Sequence, residues 1–180
     1  MFVLEMFSAK FIFSRIYVQK SSFDYMLFLN PVGLSGPDKR HIQTILGRAN
    51  RLGYTKDAAK QSLDDDMYDA VIHIWNHDCP DDEAIATLQY TDHLEQGEPQ
   101  LWVNDLSRLG TSDSISPVRA LFSIFEGLAV SEQVNTLYLM VDKKPAESHA
   151  KLTHHYANTY GFSRYQDIQS LDVTVMKKDL

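Results

Sequence analysis

Apolar residues recur along this chain with two different spacings, and the alternation between them predicts strands and helices. Short apolar runs bounded by turn formers, typical of strands, lie at residues 25–30, 68–75, 84–90, 100–106, 136–142 and 171–176. Apolar residues three and four apart predict helices at 38–53, 115–129 and 146–160, and a more polar helix is expected near 55–63. This order of elements predicts one α/β domain.

The helix near 115–129 has the clearest signals in the sequence. Ser116 is placed to cap its N-terminus, and Pro117 suits the first turn because proline has no N–H to leave unpaired there. This helix links the predicted strands at 100–106 and 136–142. We therefore expect these two strands to be parallel neighbours joined by a right-handed crossover.

Residues 1–24 are predicted to be an apolar N-terminal extension, and residues 25–180 the domain itself. Glu5, Lys10 and Arg15 interrupt the extension, so it does not fit a transmembrane helix of about 20 nearly uncharged residues. No small-residue cleavage site follows it. We expect packed structure here, as an added strand or a homodimer contact, and a helix lying on a membrane surface is the alternative.

Composition narrows the classes of function. The chain has 24 acidic and 17 basic residues, a formal charge of −7 and no lysine or arginine cluster, so nucleic acid is not an expected partner. Cys79 is the only cysteine, which excludes an internal disulfide and fits a cytoplasmic protein. The histidine spacings do not suit a pair of metal ligands on one helix, so no metal is expected.

The last forty-five residues carry a resemblance to a known family. The apolar strand Thr136–Asp142 precedes a polar helix that ends in Tyr160-Gly161-Phe162, and a closing strand follows at 171–176. This arrangement resembles the C-terminal half of the GNAT superfamily of acyl-CoA-dependent N-acyltransferases. The resemblance implies a GNAT-like α/β fold with a mixed, mostly antiparallel sheet of six or seven strands flanked by helices. It also implies that the two parallel strands splay apart to admit a pantetheine arm.

A cofactor site is implied at the start of the helix near residue 116. A helix N-terminus offers unpaired N–H groups and a partial positive charge to a diphosphate. GNAT enzymes carry an Arg/Gln-x-x-Gly-x-Gly/Ala pattern in the preceding loop, of which this chain keeps one glycine. The residues expected to bind acetyl-CoA or another acyl-CoA are Leu106, Arg108, Gly110, Ser114, Ser116 and Arg119.

The resemblance implies transfer of an acyl group, by preference acetyl, to a primary amine by direct attack. The tyrosine that serves as general acid in the family falls on Ala157, so Tyr156 is the predicted acid and Tyr160 its alternative. Asp105, at the end of the strand bordering the cofactor loop, is the predicted base, and Glu83 and Asp69 are weaker candidates. The acceptor is expected to be a small-molecule amine or a protein amine.

Two alternatives remain open. Short motifs at 51–54, 66–69 and 105–108 resemble those of acyl-homoserine-lactone synthases, a subgroup of the same fold that uses acyl carrier protein and S-adenosylmethionine. Under that alternative Asp66, Asp69, Asp105 and Arg108 contact the sulfonium substrate or maintain the site. The other alternative is a GNAT-fold binding module without catalysis, because the glycine-rich loop and the expected tyrosine are both missing.

Overall fold

A computed structural model describes residues 10–29, 36–37, 40–41, 43–44, 70–93, 98–109 and 116–180. The strands are β1 Lys10–Val18, β2 Ser21–Leu29, β3 Ala70–Asn76, β4 Glu83–His93, β5 Glu98–Arg108, β6 Thr136–Asp142, β7 Ser163–Ile168 and β8 Val173–Asp179. The helices are α1 Pro117–Ser131 and α2 Ala146–Tyr160, with a 3-10 turn at Gln169–Leu171. The described residues at 36–37, 40–41 and 43–44 are also helical.

The strands hydrogen-bond in the order β1-β2-β3-β4-β5-β6-β8-β7. The pairings β1–β2, β2–β3, β3–β4, β6–β8 and β7–β8 are antiparallel and β5–β6 is parallel, which confirms the mostly antiparallel α/β sheet and the parallel neighbours. The sheet has eight strands in the described residues, rather than six or seven. The chain divides into two compact units: an N-terminal unit of residues 3–89 and 105–124, and a C-terminal unit that includes residues 90–104 and 125–180.

The N-terminal unit contains an antiparallel meander of β1, β2, β3 and the part of β4 up to Gln89. Nine consecutive residue pairs join β1 to β2 without a bulge, from Lys10↔Leu29 to Val18↔Ser21. Their two-residue turn, Gln19 and Lys20, has φ angles of 49° and 77°. Such left-handed angles suit the twist of a two-residue hairpin, although they are uncommon outside glycine, asparagine and aspartate. The buried apolar core of the meander includes Phe23, Phe28, Ile72, Ile74 and Leu88.

This hairpin corrects the predicted start of the first strand. β2 begins at Ser21 and not at residue 25, and residues 10–18 of the expected extension form a strand. The turn carries no Asn-Gly or Asp-Gly signal, and Asp24 interrupts the apolar pattern that marks a strand. Asp24 is nevertheless 95% buried, because cross-strand Arg15 binds its carboxylate.

The C-terminal unit contains β6, β8 and β7, with α2 packed against β6 and β7. β8 ends three residues later than predicted, at Asp179, because its polar end pairs with Thr136, Leu137 and Tyr138 of β6. It also begins two residues later, after Asp172, whose φ is 54°. Large buried side chains in this unit include Leu137 and Met176.

Gly161 ends α2 as the sequence predicts. Its φ is 77°, its N–H donates to Ala157 O at 3.2 Å, and Phe162 N–H donates to Tyr156 O at 3.2 Å. These two bonds form a Schellman motif, which satisfies carbonyl groups at the end of the helix.

Helix α1 buries one apolar face and begins where the sequence predicts. Ser116 Oγ accepts the Val118 N–H at 3.3 Å, and Pro117 occupies the first helical position. Its buried side chains include Ala120, Leu121, Phe122, Ile124, Phe125 and Ala129. The predicted helix near 55–63 and most of the one at 38–53 lie outside the described residues.

Candidate functional site

The parallel pair of strands is the feature from which the candidate site is built. The registered ladder between β5 and β6 comprises Leu101↔Leu137, Trp102↔Tyr138 and Val103↔Leu139. Beyond this point β5 continues to Arg108 and β6 to Asp142. The rings of Trp102 and Tyr138 stack at the middle of the ladder, with centroids 4.7 Å apart and an interplanar angle of 17°. A short ladder between longer strands is the expected geometry for parallel strands that diverge toward their C-terminal ends.

The N-terminus of α1 is largely occupied by its own cap. Pro117 has no N–H, the Val118 N–H donates to Ser116 Oγ at 3.3 Å, and the Arg119 N–H donates to Ser116 O at 2.9 Å. A diphosphate would need these same N–H groups. The described part of this helix start therefore does not fit a diphosphate cradle until the Ser116 side chain rotates away.

Arg108, predicted to bind the cofactor, forms an ion pair within the N-terminal unit. Its Nε and Nη2 donate to Asp82 Oδ1 at 3.0 and 2.8 Å, and Asp82 is 99% buried. The neighbouring backbone is fixed as well, since Leu109 N–H donates to Glu83 O at 2.8 Å. The positive charge of Arg108 is therefore largely compensated before any anion binds.

The other predicted cofactor residues are not brought together by the described structure. Arg119 is exposed, and its Nη1 donates to Gln19 Oε1 of the β1–β2 turn at 3.2 Å. Leu106 is half-buried on β5. Gly110, Ser114 and the side chain of Asp105 lie outside the described residues. The assignments of these residues to cofactor binding and catalysis stay predictions.

The predicted acid Tyr156 lies in an aromatic cluster at the end of α2. Its ring centroid is 6.2 Å from that of Tyr160 and 6.4 Å from that of Phe162. Burial, with a smaller contribution from Tyr160, raises the pKa of Tyr156 to about 12. Ala157, where GNAT enzymes carry the acid, is exposed. Tyr156 therefore stays protonated at neutral pH, whatever its role.

Sequence reasoning missed a buried polar pair on β3 and β4. His73 Nε2 lies 2.6 Å from Glu83 Oε2, and both residues are more than 90% buried. The imidazole of His73 also packs 4.9 Å from Trp75 and 5.7 Å from His41, measured between ring centroids. A histidine within an apolar strand was the available signal, but its partner depends on the hairpin register.

A second group missed by sequence reasoning surrounds the buried Asp24 carboxylate. His77 Nδ1 lies 2.8 Å from Asp24 Oδ2 and 2.9 Å from Arg15 Nη2. A protonated Nδ1 donates to the carboxylate, whereas an unprotonated one accepts from the guanidinium. Arg15, followed by His77, lowers the pKa of Asp24 against the opposing effect of burial. Asp24 is thus held ionised beneath the partly exposed side chains of Arg15 and His77.

The three histidines of α2 do not converge. His149 Nε2 lies 3.0 Å from the Thr174 hydroxyl oxygen, whereas His154 and His155 are exposed and contact Asn158 and Thr159. Within the described ranges no group of three histidine, cysteine or acidic side chains is placed to hold a metal ion. The same residues include no helix that is both long and apolar enough to cross a membrane.

Comparison with solved structures assigns the fold. A GNAT-family acetyltransferase from Listeria monocytogenes is similar, with a TM-score of 0.59 and 11% identity over 93% of this chain and 100% of that chain. Naa50 from Arabidopsis thaliana, solved with the bisubstrate analogue CoA-Ac-MVNAL, gives a TM-score of 0.50 and 15% identity over 87% of this chain and 99% of that chain. No family model and no curated protein matches the sequence. The chain has the fold of the GNAT acetyltransferases.

Proposed function

We propose that this protein is an acyl-CoA-dependent N-acyltransferase that moves an acetyl group to a primary amine by direct attack. The observation that carries the proposal is the short parallel ladder of β5 and β6 within a GNAT fold. It ends at Val103↔Leu139, short of the ends of both strands. Diverging strands provide backbone groups to bond the amides of a pantetheine arm, as an added strand would. A backbone N–H near this point would polarise the thioester carbonyl.

The chemistry is limited to positioning, proton transfer and carbonyl polarisation. The amine nitrogen forms a bond to the carbonyl carbon, the thiolate leaves, and the amine proton passes to a base. Asp105 is the proposed base. Tyr156 is proposed to donate a hydrogen bond to the departing sulfur. A phenol with a pKa of about 12 is a weaker acid than a thiol with a pKa of roughly 8.5, so it favours donating a hydrogen bond over complete proton transfer.

Recognition of the donor is proposed to depend more on the acyl-pantetheine arm than on the diphosphate. The contacts of Arg108 with Asp82 and of Ser116 with Val118 support this, because both groups are engaged inside the protein. An acyl thioester of acyl carrier protein, the donor in the acyl-homoserine-lactone-synthase alternative, would present the same arm without the adenosine diphosphate.

The same two contacts favour one competing function, a GNAT-fold binding module without turnover. Arg108 and Ser116, which are predicted to bind the phosphates, already bond to groups within the protein, as expected of a fold that no longer binds CoA. This candidate predicts no ligand-induced stabilisation by any acyl-CoA and no transfer to any amine.

The deciding experiment combines ligand binding with turnover on the full chain. Thermal shift would be measured with CoA, acetyl-CoA, S-adenosylmethionine and pantetheine, since a ligand that binds only the folded state raises the melting temperature. Turnover would be followed by chromatographic detection of free CoA over a panel of amines, because the exposed Cys79 thiol would interfere with a thiol reagent.

Stabilisation by acetyl-CoA together with amine-dependent release of CoA supports the proposal. Stabilisation without release over the whole amine panel supports a binding module that retains the ligand. No rise in melting temperature with any of the ligands contradicts the proposed function. Stabilisation by S-adenosylmethionine supports the acyl-homoserine-lactone-synthase alternative.

A further inference from the structure

Helix α2 is joined to the sheet of the C-terminal unit by a line of polar side chains from α2, β8 and β7. His149 Nε2 lies 3.0 Å from the hydroxyl oxygen of Thr174, and that hydroxyl donates to Asp167 Oδ1 at 2.8 Å. Thr174 is completely buried, and Asp167 is its cross-strand partner in the β7–β8 ladder. The register of the strands therefore holds this hydrogen-bond network in place.

These hydrogen bonds fix which nitrogen of His149 carries a proton. A hydrogen bond from Thr174, followed by one from Arg164, lowers the pKa of Asp167, so its carboxylate is ionised at neutral pH and can only accept. The Thr174 hydroxyl has one proton, which it donates to Asp167, and its oxygen then accepts from His149. Nε2 of His149 is therefore the protonated nitrogen, and in the neutral ring Nδ1 is the basic one.

The carboxylate end of the network is anchored to cations. Arg164 Nη2 donates to Asp167 Oδ2, and Lys143 Nζ lies 3.6 Å from the same oxygen, whereas Oδ1 accepts the Thr174 hydroxyl. Because Asp167 is held from both sides, the hydroxyl proton keeps its direction and His149 keeps its tautomer. A carboxylate that fixes the tautomer of an imidazole prepares the other ring nitrogen to accept a proton.

His149 lies over the part of β6 just beyond the parallel ladder. Thr174 is opposite Val141 of β6, and Leu139 is the last β6 residue in register with β5. Val141 and Leu139 share a face of the sheet and are roughly 7 Å apart along the strand. An attacking nitrogen about 3 Å from a thioester carbon and one hydrogen bond of about 3 Å span most of that distance. The imidazole is therefore within reach of an amine at the end of the ladder, where the proposed function places the thioester.

Acyl transfer to an alkylamine removes two protons from nitrogen. An alkylamine is an ammonium ion at neutral pH, and it must lose one proton before its electron pair can attack a carbonyl. The other proton is lost once the carbon–nitrogen bond has formed, and Asp105 is the proposed acceptor of that one. The first proton needs an acceptor of its own.

We propose that His149 takes this first proton at Nδ1, directly or through one water, and that Thr174 and Asp167 are positioning residues that hold its tautomer. This inference rests on the proposed acyl transfer. The N–H bond of the ammonium breaks, the proton joins Nδ1 to give an imidazolium, and the electron pair left on nitrogen attacks the thioester carbon. The carbon–sulfur bond then breaks with its pair on sulfur, and the imidazolium returns its proton to solvent.

The tautomer can be measured without turnover by nitrogen NMR of the full chain. At about pH 8.5, where histidine side chains are usually neutral, the His149 signals should show the proton on Nε2, and their loss in His149→Gln identifies them. Thr174→Ser keeps the hydroxyl and should keep this tautomer, whereas Thr174→Val should give a mixture of both. A proton on Nδ1 in the wild type, or an unchanged tautomer in Thr174→Val, would overturn the proposal.

Turnover tests the role of Nδ1. Glutamine keeps an N–H donor for Thr174 but has no basic nitrogen, so His149→Gln should lower kcat/KM for an alkylamine, 2-phenylethylamine, about 100-fold or more. His154→Gln is the matched control, because His154 is an exposed histidine of the same helix, and it should leave kcat/KM unchanged. Aniline is uncharged at neutral pH and needs no first deprotonation, so His149→Gln should lower its kcat/KM less than about tenfold.

Equal kcat/KM of His149→Gln and His154→Gln for the alkylamine would overturn the inference and leave the acyl transfer standing. An equally large loss with aniline would also overturn it, since His149 would then act on something other than the ammonium proton. Circular dichroism melting of each variant separates these effects from unfolding. A wild type that acetylates no amine contradicts the proposed function and, with it, a catalytic role for His149, while the NMR measurement still decides whether Thr174 holds the tautomer.

Discussion

Replacing Gly161 by alanine should destabilise the fold through the backbone alone. Gly161 has φ 77° and ψ 20°, a left-handed conformation that costs a residue with a Cβ roughly 1–2 kcal/mol. A Cβ placed there would meet only Lys178 Cε, at 3.9 Å, which is an ordinary contact. Steric collision therefore adds nothing, and we expect Gly161→Ala to lower the free energy of unfolding by about 1–2 kcal/mol.

Gly127→Ala is the matched control with the opposite sign. Gly127 lies within α1, and a Cβ there meets nothing within 4 Å. Alanine at a helical position of this kind should stabilise the protein by about 0.5–1 kcal/mol. The two variants should therefore differ in free energy of unfolding by roughly 1.5–3 kcal/mol, which is the left-handed cost at Gly161 plus the gain at Gly127.

The assay is urea denaturation followed by circular dichroism, with the slope of the transition compared among the variants. In thermal melts of a chain of this size, each kcal/mol corresponds to roughly 2–4 °C. Gly161→Asn should fall between the wild type and Gly161→Ala, because asparagine tolerates the left-handed region. Equal shifts of the same sign in Gly161→Ala and Gly127→Ala would refute the left-handed cap of α2.

Three further predictions follow from the contacts of individual side chains. Ser116→Gly should lower the free energy of unfolding by only a few tenths of a kcal/mol while it releases the Val118 N–H. If the start of α1 receives the diphosphate, calorimetry should find tighter CoA binding to this variant, and unchanged binding would exclude that role. The wild type should lose stability between about pH 10 and 12, because the folded-state pKa of Tyr156 lies above its unfolded value and only the unfolded state releases the proton in that window. Tyr156→Phe should abolish this loss. Urea midpoints that decline equally in both proteins between pH 9 and 11 would contradict this. Asp24→Asn should destabilise the protein at pH 7 and make its stability fall less steeply below about pH 4, because Arg15 lowers the folded-state pKa of Asp24. A variant whose urea midpoint falls between pH 7 and 3 as steeply as that of the wild type would show that Asp24 does not contribute.

Much of the fold could be predicted because its signals are local. Thr136–Asp142 and Ala146–Tyr160 have the predicted bounds, since a short apolar run and a polar helix closed by glycine each carry their own start and stop. Ser116 caps α1 as predicted, because the cap bonds a backbone group only two residues away. The β1–β2 hairpin escaped prediction because its turn uses Gln19 and Lys20 in place of the usual glycine or asparagine.

The candidate site was less predictable because its charged side chains bind partners that are far away in the sequence. Arg108 pairs with Asp82, 26 residues away, and Asp24 is bound by His77, 53 residues away, as well as by Arg15. Neither separation follows a local motif, and the tertiary structure decides both contacts. The sequence predicts that Arg108 binds the cofactor from its place beside the loop, and only the structure shows that its side chain also binds a buried carboxylate.

The sequence by itself determined the order of strands and helices, the parallel strand pair and the glycine that ends α2, because periodicity and backbone preference are properties of neighbouring residues. Only the tertiary structure decided which polar groups are available for chemistry. It turned Ser116 and Arg108 toward partners inside the protein, buried His73 against Glu83, and placed the half-buried Tyr156 beside Tyr160 and Phe162. The physical reason is that a charge or hydroxyl acts on a ligand only where the fold has not already satisfied it.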